Sequence, residues 1–272
     1  MKSPIKWMGG KSNSVKTILP MIPEHKTYVE PFLGGGWIFF NKEKSKVEIL
    51  NDINGDLVNF FEVVRNKQDE LEKKFDNILI SREIFLEYRK TMSDKNLSDV
   101  ERAFRFYYVN QNAFGGLIRY NKSGGCNSPF AINPKVFVQS GFWDLDKIKN
   151  AHERLKHTYI ENDDYRKVIS RNDTEDTLFF LDPPYDCKSG KYNGESSFDY
   201  EELVSICKGI KGKFILTLNS GFEELFKDFN VYPNDVHYSI GCTTNSSKSY
   251  KEIIVTNYTP SCFNAENGYI YE

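Results

Sequence analysis

Histidine and cysteine are scarce in this chain of 272 residues, which contains four histidines and five cysteines. No two cysteines form a CxxC pair and no histidines stand at ligand spacing, so the sequence predicts no zinc or other metal site. The scattered cysteines indicate free thiols in a reduced, cytoplasmic setting. They are Cys126, Cys187, Cys207, Cys242 and Cys262.

Long apolar runs and phosphate-binding loops are also missing. No stretch approaches the roughly 18–20 apolar residues that a membrane helix needs. The N-terminal MKSPIKWMGGKSN lacks the apolar middle of a signal peptide. Neither G-x-x-x-x-G-K-[ST] nor G-x-G-x-x-G occurs. We therefore expect a soluble protein with no membrane partner and no loop built to hold a nucleotide's phosphates.

The charge is nearly balanced overall but unevenly distributed. A net charge of −2 gives no global sign of a polyanionic partner. The segment Arg102–Trp143, however, contains no Asp or Glu. Its cations are Arg102, Arg105, Arg119, Lys122 and Lys135. A local basic face is one interpretation, and an accident of surface charge is the other.

The order of the apolar patterns predicts an α/β protein, because strand-like runs alternate with helical ones. The expected strands are TYVEPF, KVEILNDIN, TYIEN, LFFL, GKFILTLN, DVHYSI and KEIIVTNY. Residues from 56 to about 110 read as helices, with Ser81 and Ser98 as N-caps. The following residues, rich in Gly, Asn, Ser and Pro, indicate a structured hairpin or loop. The sequence thus predicts a sheet domain with an insert.

Two strand ends predict a ligand site. In VEPFLGGGW, a strand runs into glycines and then a helix, which lets backbone approach a ligand at the carboxyl end of a sheet. The next strand ends in NDIN, and its Asp52 lies roughly 20 residues beyond the turn, where an acid can bind ribose hydroxyls. A helix N-cap is the alternative role for Asp52. Together the two features favour a nucleoside without phosphates, such as S-adenosylmethionine.

The stretch DPPY follows the apolar run Leu178–Leu181. Proline fixes φ, lacks an N–H and keeps the preceding residue extended. The Asp182 carboxylate and the Pro183 carbonyl therefore form a rigid pair of acceptors, and Tyr185 adds an aromatic face. Such a group fits the exocyclic amine of a planar base, and enzymes that act on a duplex flip the base into such a pocket. A simple turn at the end of a strand is the alternative.

In the order KWMGGK, VEPFLGGG, NDIN, FGGLIRYN, NSPFA and DPPY, these motifs resemble the Dam class (D12, alpha group) of DNA adenine-N6 methyltransferases. The resemblance implies a Rossmann-like class I methyltransferase sheet with an inserted helical and hairpin target-recognition domain. The catalytic domain would comprise residues 1–55 and 144–272, and the insert residues 56–143. It also implies S-adenosylmethionine as methyl donor, double-stranded DNA as substrate, base flipping and GATC as target.

The resemblance also assigns roles to residues. Those implied to be catalytic are Asp182, Pro183, Pro184 and Tyr185. Those implied to bind the cofactor are Trp7, Gly10, Lys11, Glu30, Phe32, Gly34, Asp52 and Asp182. Those implied to contact DNA are Arg89, Leu117, Arg119, Asn121 and Pro129, and arginine suits bidentate contact with guanine. Where the family typically has F-N-G-L, this chain has FGGL, with Gly115 in place of asparagine.

Two other classes remain open from the residues alone. The same D-P-P-Y chemistry serves methylation of amino groups on RNA or on protein glutamine. A catalytically silent DNA-binding relative is the second alternative, although intact DPPY and VEPFLGGG argue against it. For the methyltransferase we further expect a monomer and a cognate restriction endonuclease.

Overall fold

The computed structural model describes residues 1–76, 78–116, 118–120, 126–131, 144–184, 198–238, 248–264 and 268–269. The strands of its main sheet are β1 Thr27–Glu30, β2 Val47–Asn51, β3 Tyr159–Glu161, β4 Thr177–Leu181, β5 Lys213–Asn219, β6 Asn230–Tyr238 and β7 Lys248–Thr256. Their order is β3-β2-β1-β4-β5-β7-β6. Strands β1 to β5 pair in parallel, whereas β7 runs antiparallel to both β5 and β6. The predicted Rossmann-like sheet with an antiparallel final pair is confirmed.

The described helices are α1 Val15–Ile18, α2 Trp37–Asn41, α3 Gly55–Asn66, α4 Gln68–Lys73, α5 Arg82–Thr91, α6 Asp99–Asn112, α7 Leu145–Leu155, α8 Tyr165–Asn172 and α9 Tyr200–Gly209. Short 3₁₀ turns cover Lys11–Asn13, Leu19–Met21 and Phe114–Gly116, and a small strand pair joins β8 Phe263–Asn264 to β9 Gly268–Tyr269. Both predicted N-caps are confirmed, since the hydroxyls of Ser81 and Ser98 accept backbone N–H groups of α5 and α6.

Both faces of the sheet are covered, as β4 demonstrates. All five of its residues are buried. Leu178 and Phe180 join a core with α3, α6 and α7, whereas Phe179 and Leu181 join a second core with α8 and α9. Helices on both faces are typical of parallel sheets and leave the carboxyl ends of the strands as the open edge. The functional groups of β1, β2 and β4 therefore meet at one edge.

Two elements differ from the sequence pattern. Helix α8 is not predicted, because only Val168 and Ile169 of its eight residues are buried and its apolar stripe is short. Strand β6 begins at Asn230, well before the expected DVHYSI.

The helices α3 to α7 all lie between β2 and β3 in the chain, and the division at residues 56 and 143 stays a prediction. Within the described ranges, no helix is long and apolar enough to cross a bilayer.

Candidate active site

The glycine turn after β1 requires its glycines. Gly34 and Gly36 have φ values of +48° and +65°, in the left-handed region that favours glycine. A Cβ on Gly34 would lie 2.7 Å from Cδ1 of Trp7. The Gly34 N–H donates to Oδ2 of Asp52 at 2.9 Å. Trp7 thus packs on the backbone of the turn, and the turn is fixed to the end of β2.

The N-terminal segment, defined here as Lys6–Asn13, lies across this turn. A Cβ on Gly10 would lie 2.9 Å from Nε1 of Trp37, so this residue too is confined to glycine. The side chain of Lys11 is 2% exposed, and its Nζ lies 2.6 Å from Oδ1 of Asp182. Nζ also donates to the Gly9 carbonyl at 3.0 Å. The segment therefore connects the glycine turn to the end of β4.

Asp182, the acid that follows β4, is contacted by two side chains at the same carboxylate oxygen. Besides Lys11, the Thr217 hydroxyl of β5 donates to Oδ1 of Asp182 at 2.8 Å. The carbonyl of Pro184 accepts from the Tyr200 hydroxyl at 2.6 Å. Among the described residues, neither Oδ2 of Asp182 nor the Pro183 carbonyl has a hydrogen-bond partner. These are the two acceptors predicted from the sequence; Tyr185 lies outside the described residues.

Asp52 is fixed by backbone N–H groups. In addition to Gly34, the Asn54 N–H donates to its Oδ1 at 2.9 Å. Burial raises the pKa of Asp52 to about 6 in spite of these hydrogen bonds. The next loop is tied to the same place, because the Asn162 side chain donates to the Asp52 carbonyl at 2.7 Å. Asp52 is thus an oriented carboxylate at neutral pH.

Asn51 is a positioning residue that the sequence does not reveal. Its amide nitrogen donates to the Pro31 carbonyl at 2.9 Å and to the Asp163 carbonyl at 3.0 Å. Its amide oxygen accepts the Asp163 N–H at 2.9 Å. This buried amide therefore joins the loops that follow β1 and β3.

Glu30, the last residue of β1, is only 2% exposed. The Tyr28 hydroxyl donates to its Oε2 at 2.8 Å. Burial raises the pKa of Glu30 to about 8, and the nearby negative charge of Asp182 contributes in the same direction. Glu30 is consequently mostly neutral at pH 7, in contrast to Asp52.

Three aromatic rings form a group around Phe32, which follows Glu30 by two residues in the chain. The ring of Phe32 is 5.0 Å from that of Tyr165 and 5.8 Å from that of Phe198, between centroids. Tyr165 and Phe198 are 5.5 Å apart, and all three rings are half-buried. Phe32 is a predicted site residue, whereas the other two are not. The acid–aromatic pattern DDY after β3 is the signal that could have identified Tyr165.

Two of the predicted DNA contacts, Arg119 and Pro129, lie on a hairpin. Ala113 pairs with Phe130, and Tyr120 with Cys126, in antiparallel bridges. Arg119 and Pro129 are exposed on this hairpin. Leu117 and Asn121 lie outside the described residues.

The side chain of Arg89 is only partly exposed and forms a hydrogen bond within the protein. Its guanidinium donates to the Ser128 carbonyl at 2.9 Å, and the side chain is half-buried. The Ser128 hydroxyl accepts the Arg119 N–H at 2.8 Å. Arg89 thus joins α5 to the hairpin that carries Arg119.

The family model described as D12 class N6 adenine-specific DNA methyltransferase matches residues 7–240. The chain belongs to this family. The family predicted from the motifs is therefore confirmed. The match includes residues 7–13 of the N-terminal segment, the glycine turn, Asp52, the hairpin and DPPY.

Individual DNA methyltransferases resemble the chain over most of its length. The Type II methyltransferase M1.LlaDCHI of Lactococcus lactis subsp. cremoris is 30% identical, over 93% of this chain and 94% of its own. The Type II methyltransferase M.MjaIII of Methanocaldococcus jannaschii is 29% identical, over 93% and 98%. The DNA adenine methylase of Escherichia coli K12 is 26% identical, over 92% and 93%.

Proposed function

We propose that this D12-class protein transfers a methyl group from S-adenosylmethionine to the exocyclic N6 of adenine in double-stranded DNA. The observation that carries the proposal is the end of β4. Lys11 and Thr217 both contact Oδ1 of Asp182, which leaves Oδ2 and the Pro183 carbonyl for an incoming amine. An exocyclic amine has two hydrogens, and two fixed acceptors match them.

The residues at this edge fit S-adenosylmethionine. The donor supplies a methyl group on a sulfonium sulfur. Gly34 and Gly10 let Trp7 and Trp37 pack directly on the backbone at this edge, and Asp52 offers an oriented carboxylate for ribose hydroxyls. We propose that Phe32 and Tyr165 contact the purine. The remaining proposed contacts are Trp7, Lys11, Glu30 and Asp182.

Catalysis would depend on orientation of the amine. Its lone pair is delocalised into the adenine ring, so the free nitrogen is a poor nucleophile. Hydrogen bonds to Asp182 and to the Pro183 carbonyl favour a tetrahedral nitrogen and stabilise its developing positive charge. Tyr185 is proposed to stack on the base, while Pro184 keeps the two acceptors rigid. Asp182 then acts as an acceptor that positions the nitrogen. The N–CH₃ bond would form as the S–CH₃ bond breaks, S-adenosylhomocysteine would leave, and the surplus proton of the amine would pass to solvent.

Glu30 gives a test of the proposed donor. Its pKa of about 8 keeps it mostly protonated at pH 7, and a cationic ligand beside it favours the carboxylate. Binding of S-adenosylmethionine is therefore expected to release up to about one proton at pH 7, and little at pH 9, where Glu30 is already ionised. Calorimetry in buffers of different ionisation enthalpy measures this release. Equal release from Glu30→Gln would contradict the assignment.

For DNA we propose contact through residues 56–143, the predicted insert, with Arg119 and Pro129 on the exposed hairpin. Phe114, next to them in space, is 50% exposed, and its N–H donates to the Pro129 carbonyl at 2.9 Å. Base flipping leaves a gap that an exposed aromatic side chain can fill. Phe114→Ala should therefore reduce the fluorescence rise of 2-aminopurine at the target position, without loss of cofactor binding.

The proposed target is GATC, by resemblance of RYN and NSPFA to the family's hairpin. Leu117, Asn121 and Arg89 are the further proposed DNA contacts. A cognate restriction endonuclease is also proposed, since two of the relatives are named Type II methyltransferases. A monomeric enzyme is proposed as well, and its mass in solution tests this.

Sequencing of methylated DNA from cells that express the protein tests the function directly. The host should lack adenine methylation of its own, and cells that express Asp182→Ala serve as control. We expect N6-methyladenine at GATC in the first culture alone. Methylation at another sequence would contradict GATC as the target but support the proposed function. Unmodified DNA from both cultures would contradict the proposed function.

A further inference from the structure

Asn110 of α6 joins the N-terminal segment to the hairpin in which Ala113 pairs with Phe130 and Tyr120 with Cys126. It is completely buried. Its amide nitrogen donates to the Lys6 carbonyl at 2.7 Å and to the Gly116 carbonyl at 3.0 Å. Its amide oxygen accepts the Lys6 N–H at 3.2 Å. One side chain thus binds both backbone groups of Lys6 and the start of the hairpin.

The two segments that Asn110 joins are also in direct contact. Gly116 has a φ of +70°, and a Cβ there would lie 2.3 Å from Cδ of Lys6. The ring of Trp7 lies 6.4 Å from that of Phe106 on α6, between centroids. No gap therefore separates the hairpin, α6 and the N-terminal segment, and a shift of one must displace another.

Each end of this contact leads to a different ligand. On one side, Gly116 begins the hairpin that carries the exposed Arg119. On the other side, Lys6 continues into Trp7, which covers Gly34, and into Lys11, which holds Asp182 at 2.6 Å. The path from the hairpin to Asp182 consists of the buried Asn110 side chain, the main chain of Lys6–Lys11 and the buried Lys11 side chain.

We propose that Asn110 is a positioning residue that couples DNA at the hairpin to S-adenosylmethionine at the N-terminal segment, so that each ligand raises the affinity for the other. The proposal rests on the proposed function. Coupling between sites is a difference in binding free energy, and it must be equal in both directions. A buried amide that only stabilises the fold would produce no such coupling, which makes the two roles separable by experiment.

The test measures the affinity for S-adenosylhomocysteine, the demethylated product, so that no turnover intervenes. Titrations are made with and without a short duplex that contains the motif found by methylation sequencing. For the unaltered protein we expect the duplex to raise the affinity on the order of tenfold. Asn110→Asp keeps the shape of the side chain but replaces its two N–H donors by a carboxylate oxygen. In this variant the duplex should raise the affinity only about twofold or less. The product should raise the affinity for DNA by the same factor.

Asn112→Asp is the matched control. Asn112 is equally buried in α6, but its amide nitrogen donates to the Tyr108 carbonyl of its own helix at 2.8 Å. This variant should keep the factor of the unaltered protein. If Asn110→Asp does not fold, Gly116→Ala disturbs the same contact from the hairpin side and should lower the factor too.

The outcomes separate this inference from the function on which it rests. The role of Asn110 is overturned if a folded Asn110→Asp or Gly116→Ala shows the same duplex-induced gain in affinity for S-adenosylhomocysteine as the unaltered protein. An unaltered protein that methylates DNA but shows no coupling also overturns it, and leaves the proposed function intact. An unaltered protein that methylates no DNA contradicts the proposed function itself.

Discussion

Asp182→Asn is expected to lower kcat for methyl transfer by at least about 10²–10³-fold, while the fold remains intact. The amide oxygen can still accept from Lys11 and Thr217, whose donors lie 2.6 and 2.8 Å from Oδ1 in the structure. The amide NH₂ then replaces Oδ2 and presents a donor where the adenine amine needs an acceptor. Transfer of a labelled methyl group to a duplex measures the rate, and thermal unfolding measures stability.

Asp176 provides the control for this variant. It precedes β4 at the amino end of the strand, is 57% exposed and pairs with Lys26 at 2.7 Å. Asp176→Asn should leave kcat unchanged. Asp182→Ala should be as inactive as Asp182→Asn but melt at a lower temperature, because the buried ammonium of Lys11 would lose its counter-charge. Substantial activity in either Asp182 variant would contradict the proposed mechanism.

The sequence predicts which polar groups stand at the strand ends because their placement is local. Two adjacent prolines fix the backbone around Asp182 whatever packs against it. The same holds for the glycine turn and for Asp52, whose hydrogen bond to the Gly34 N–H links two neighbouring parallel strands. Short patterns could therefore predict these acids and the mostly parallel sheet.

Contacts between distant segments could not be predicted in this way. The family motif implies that Lys11 contacts the cofactor, and this stays a prediction; the ion pair of Lys11 with Asp182 is a contact that the motif does not indicate. The DNA contact implied for Arg89 likewise stays a prediction, and its hydrogen bond to the Ser128 carbonyl of the hairpin has no signal in the sequence. Asn110 and Asn51 have no motif at all, since their roles follow only from which backbone groups the fold brings near them. A periodic sequence pattern predicts which face of a helix or strand is buried, but it does not predict which atoms contact that face.

Lys11→Met is expected to reduce both activity and stability. Lys11 is 2% exposed and Asp182 20%, so the loss of the lysine leaves a largely buried carboxylate without its cation. Removing one partner of a buried pair typically destabilises by roughly 3–5 kcal/mol, and we expect the lower end because Asp182 retains some solvent. The freed carboxylate also loses its orientation, which should lower kcat about 10²-fold. Urea denaturation and the methyl-transfer assay measure the two effects.

A double variant separates the charge of Lys11 from its role in orientation. In Lys11→Met/Asp182→Asn no unpaired charge is buried, so much of the lost free energy of unfolding should return, while kcat should stay at least as low as in Asp182→Asn. Lys26→Met is the control, because its pair with Asp176 has nearly the same N–O distance, 2.7 Å, but is exposed. It should change neither stability nor activity appreciably. If the double variant were less stable than Lys11→Met, the pair would not be the source of the loss, and the placement of Lys11 against Asp182 would need another explanation.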